Sequence, residues 1–67
     1  MKISYKPLWH VLIDKGMSRR DMIRAVGIGT TTLNKLTHDR VVSIEVIMRI
    51  CETLDCKVQD VIEFVKD

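Results

Sequence analysis

Aromatic residues are nearly missing from this chain of 67: Tyr5, Trp9 and Phe64 are all it has. Glycine occurs three times and proline once. Small β-barrels and sandwiches need more turn residues than this, so the expectation is a helical chain. No stretch approaches the roughly twenty apolar residues of a membrane span. The start, MKISYKPLW, lacks the apolar segment of a secretory signal, and cytoplasmic residence is the default expectation. Cysteine is scarce too. Cys51 and Cys56 are expected as free thiols in a reducing compartment, with Cys51 packed as a small hydrophobe. Together with His10 and His38 they match no zinc-ligand spacing, and no metal or cofactor is expected. Neither a nucleophile–base pair, a glycine-rich phosphate loop nor a close carboxylate set stands out, which argues against an enzyme.

What remains fits one small domain, residues 1–67. Its 46% hydrophobic content is enough for a modest core of low absolute stability. The net charge of +2 hides an uneven distribution: eight cations face three acids through residue 40, and three face six after it. That asymmetry suggests a polyanion partner for the first part of the chain.

Stop and start signals mark five helices. Pro7 suits an early helical position, and Leu8, Trp9, Leu12 and Ile13 form a stripe that ends at Gly16. Trp9, as a member of that stripe, is expected in the core. Ser18 with Asp21 resembles a capping box, and Met17 with Met22 a hydrophobic staple. Gly27 closes this second helix. The third helix begins at Gly29 or Thr30 and runs to about His38; the short link forces the two to cross steeply. Ser43 caps a fourth helix, stapled by Val42 and Ile47, with Ile44, Ile47, Met48, Cys51 and Leu54 as its buried stripe. Val58, Val61, Ile62 and Val65 repeat at i, i+3, i+4, i+7 and predict a fifth helix from about Lys57 to Val65. The expected fold class is all-α, a compact five-helix bundle.

Within TTTLNKLTHD (residues 30–39) the leucines Leu33 and Leu36 share one edge, while Thr31, Asn34, Lys35 and His38 share another. No acid interrupts the polar edge between Thr30 and His38. The stretch Arg19–His38, RRDMIRAVGIGTTTLNKLTH, resembles the helix-turn-helix of the Cro/repressor-like (XRE-type) transcriptional regulators. Met22, Gly27, Ile28, Leu33, Leu36 and the Asn34-Lys35 pair carry the likeness, and the flanking helices extend it over nearly the whole chain. The resemblance implies a lambda-repressor-like domain whose third helix enters the DNA major groove while the second crosses the backbone. It assigns Thr30, Thr31, Asn34 and Lys35 to base or phosphate contact and Arg19 to a phosphate. His38 and Arg40 are further phosphate candidates. Two positions depart from the family: Ile23 stands where a small residue is usual, and Gly29 replaces a polar helix start.

Apart from the resemblance, asparagine pairs with adenine, lysine reaches guanine acceptors or phosphate, and threonine offers a hydroxyl and a methyl. The implied function is sequence-specific binding of double-stranded DNA by a repressor acting through operator occupancy. Rival readings are the DNA-binding antitoxin of a toxin–antitoxin pair and a helical adaptor that binds only protein. Val46, Ile50 and Phe64 look surplus to a monomer and are expected to form a homodimer contact. A dimer's operator would be palindromic, with half-sites roughly 34 Å apart.

Overall fold

The computed structural model describes all 67 residues: a strand β1 (Lys2–Ser4), helices α1 (Lys6–Lys15), α2 (Arg19–Val26), α3 (Thr30–Thr37) and α4 (Ile44–Leu54), one turn of 3-10 helix (Val58–Asp60), and a strand β2 (Glu63–Val65). Local chemistry sets the helix starts. Ser18 accepts a bond from the Asp21 N–H at 3.0 Å, and the Asp21 carboxylate accepts one from the Ser18 N–H at 3.0 Å, which completes the capping box. Ser43 caps α4 in one direction only, its hydroxyl accepting from the Val46 N–H at 3.3 Å. Gly29, with no side chain, gives α3 no such bond.

All four helix ends share one device. A residue in the left-handed conformation (Gly16, Gly27, Asp39 or Asp55) turns the chain. The next N–H then reaches back five residues: Met17 to Leu12, Ile28 to Ile23, Arg40 to Lys35, and Cys56 to Cys51. This closure brings the two bonded residues side by side. In α1 and α2 those residues are apolar. The other two pairs are two cations and two thiols.

Ten residues form the core: Tyr5, Leu8, Leu12, Met22, Val26, Leu36, Ile47, Ile50, Leu54 and Val61. Helices α1 to α4 are found where the caps and glycines place them; the fifth is not. The molecule is therefore a four-helix domain with a two-stranded ribbon, not a five-helix bundle. Antiparallel β1 and β2 pair Lys2 with Val65, Ile3 with Phe64 and Ser4 with Glu63. Of the supposed fifth stripe only Val61 is buried, while Val58 is 52% exposed and Val65 38%. The cause is chemical: Val58, Val61, Ile62 and Val65 are all β-branched and resist a short helix, and the β1 edge offers residues 63–65 a ladder instead.

The buried face of α4 is also rotated from the expected one. Ile47, Ile50 and Leu54 point inward, whereas Ile44 and Met48 are 69% and 56% exposed. So many residues of IEVIMRICETL are apolar that more than one face satisfies a helical period. Ile50, expected in a dimer contact, is wholly buried within the monomer, and Val46 packs partly against the same core. Only Phe64 of that trio is openly exposed, on β2 rather than on a helix. The three residues do not form one exposed surface.

Candidate nucleic-acid interface

Leu36 is completely buried and Leu33 packs against the core, so the two leucines fix the roll of α3. The opposite edge is thereby turned outward: Thr30, Thr31, Asn34, Lys35 and His38 are all exposed, as are Arg40 just beyond the helix and Arg19 at the start of α2. The structure thus gathers all seven candidate residues at the surface around one short helix. Its amino end adds backbone N–H groups that the Gly29 cap leaves free of side-chain partners.

Two of the seven are already engaged within the fold. The His38 ring donates from Nδ1 to the Asn34 carbonyl at 2.8 Å, since a carbonyl can only accept; this fixes the proton on Nδ1 and folds the ring over the helix end. Arg19 is the more unusual. Its guanidinium lies 3.8 Å from the centre of the Trp9 ring and donates to the Thr37 hydroxyl at 3.2 Å. One side chain therefore ties α1, the start of α2 and the last residue of α3 together. A planar cation stacks on an indole and still keeps donors to spare, which lysine does not. Trp9 is half-buried: one part packs on the core, another supports the cation.

The exit of α3 is clamped by residues to which no role was assigned from sequence. Tyr5 is fully buried; its hydroxyl donates to the Arg40 carbonyl at 2.6 Å, and its N–H donates to the Asp39 carboxylate at 3.1 Å. Burial raises the phenol above its ordinary value, with the Asp39 charge adding to the shift and a backbone hydrogen bond from Val42 opposing it. Tyr5 and Asp39 are 34 residues apart, and no local pattern announces such a pair. The one legible trace was a lone tyrosine just ahead of Pro7.

Lys35 and Arg40 occupy the two facing places of the α3 closure, joined by an amide–carbonyl bond of 2.8 Å. In α1 and α2 these places hold apolar residues that attract one another. Here they hold two cations, both exposed to solvent at the exit of α3.

A compact core, a glycine-turned pair of short crossing helices and an outward polar helix edge define a helix-turn-helix DNA-binding domain. Residues 7–67 match the family model described as the Cro/C1-type helix-turn-helix DNA-binding domain, and the chain belongs to that family. Among solved structures it resembles the transcriptional regulator VanUg, seen in a crystal form designated Form II. The two share 38% identity and superpose with a TM-score of 0.95, over 98% of this chain and 88% of that one. No curated protein matches the sequence. No helix is long and apolar enough to cross a membrane.

Proposed function

We propose that the protein is a transcriptional regulator that reads duplex DNA with α3 in the major groove and represses by occupying its operator. The observation that carries this reading is the acid-free outer edge of α3, aimed by buried Leu36 and flanked by the cations Arg19, Lys35 and Arg40. Thr30, Thr31 and Asn34 face the base edges, with asparagine suited to the paired donor and acceptor of adenine. Lys35 reaches a guanine or the adjoining phosphate. Arg40 and Arg19 hold phosphates on either side, and His38 joins them only in its imidazolium form, when Nε2 also carries a proton to donate. Likeness to a transcriptional regulator along almost the whole chain supports the regulatory role.

Selection of bound sites from random duplexes tests the proposal. The expected result is enrichment of one short motif whose binding weakens steeply with added salt. Dyad symmetry in that motif would report two copies bound, and its lack would report one. No enrichment, together with no salt-sensitive shift of bulk duplex, would overturn the reading and favour a protein-only adaptor.

A further inference from the structure

Cys51 and Cys56 are both free and both half-buried. They fill, at the end of α4, the two facing places that hold Leu12 and Met17 in α1. Asp55, left-handed at φ 52°, turns the chain between them, and the Cys56 N–H donates to the Cys51 carbonyl at 3.0 Å. That bond and the covalent bonds on either side of it limit the Cα separation to about 6.9 Å even if fully straight. Any bend brings it inside the usual disulfide range of roughly 4.4–6.8 Å. Cys56 is pushed up to about 11, first by burial and then by Cys51, so its step in a thiol exchange is the slower one near neutral pH. Cys51 also lines an open apolar groove with Ile44, Met48 and Val58.

We propose that Cys51 and Cys56 are a dithiol modification site, closing to an intrachain disulfide by exchange with a small disulfide such as oxidised glutathione. The Cys51 thiol, having lost its proton, attacks one sulfur of the reagent; the reagent's S–S bond breaks and one small thiolate leaves. The Cys56 thiol gives up its proton and attacks the Cys51 sulfur, forming the internal bond and expelling the second small thiolate. Two electrons pass from the protein to the reagent, and the two protons end on two small thiols. Cys51 opens the exchange because it faces the groove, and Cys56 resolves it. Closure locks the Asp55 turn through which residues 56–67, with Val61 and β2, leave α4. This inference does not depend on DNA binding.

The test is to treat the reduced protein with oxidised glutathione, quench with acid, and weigh and alkylate the intact chain. The expected product is a monomer lighter by two hydrogens, with no thiol left to alkylate, that unfolds on the order of 10 °C higher. Cys56→Ser should stop at a stable glutathione adduct on Cys51, and Cys51→Ser should form its adduct much more slowly. The folded chain should close faster than the same chain in urea. Accumulation of doubly adducted protein, disulfide-linked chains, or closure no faster folded than unfolded would each overturn the proposal.

Discussion

Tyr5 is the only tyrosine, so its ionisation can be followed by tyrosinate absorbance with no competing signal. Its phenol is raised above the ordinary 10.0, chiefly by burial. The neutral form is therefore the one the fold prefers: the associated stability is complete below the ordinary value and is lost as pH climbs through the raised one. Unfolding midpoints taken between about pH 9 and pH 12 should fall in the native protein and fall less in Tyr5→Phe. That variant should also start lower at neutral pH, by ~1 kcal/mol, because the Arg40 carbonyl loses its donor. On the outer edge of α3 the expected losses concern binding rather than folding. Asn34→Ala and Lys35→Ala should each weaken operator binding by ~1–3 kcal/mol and relax preference at separate base pairs. Titrations against single-base operator variants would show it, and unchanged binding in both would remove the assigned reading edge.

Secondary-structure elements were legible wherever one residue can specify a boundary. Ser18, Gly16, Gly27 and Ser43 mark helix ends by local chemistry, and each is found at the end it marks. Accordingly Ser18→Ala should cost ~1 kcal/mol, a drop of roughly 4–8 °C in the unfolding midpoint. Its Asp21 partner, lowered by the bonds to Ser18, should make part of that cap vanish as pH falls below the ordinary carboxylate range. What could not be read was decided by distant parts of the chain. The ribbon joins residues 2–4 to 63–65, and no turn signal accompanies a pairing so remote. The roll of α4 was equally hidden, since its apolar residues nearly encircle it. Ile50→Ala should thus destabilise the monomer by ~2–5 kcal/mol, whereas Phe64→Ser should stay within about 0.5 kcal/mol. Chemical denaturation of the two separates them at once. The candidate site lay between these extremes: its α3 residues followed from the leucine spacing, but the Arg19–Trp9 stack and the Tyr5 clamp needed the assembled fold.

With ten buried residues the molecule has little core to spare, and its charges are divided unevenly along the chain. Cations dominate residues 1–40 and acids dominate residues 41–67, so the field should draw a polyanion toward the α3 side. Operator affinity should fall linearly on a log–log plot against salt, and Arg40→Ala should reduce the slope by about 1. An unchanged slope would place Arg40 away from any phosphate. The ribbon also has a temporal meaning. Lys2 is synthesised well before Val65, the residue it pairs with. The edge of β1 therefore stays open until β2 follows, and the two ends of the domain are zipped together only then.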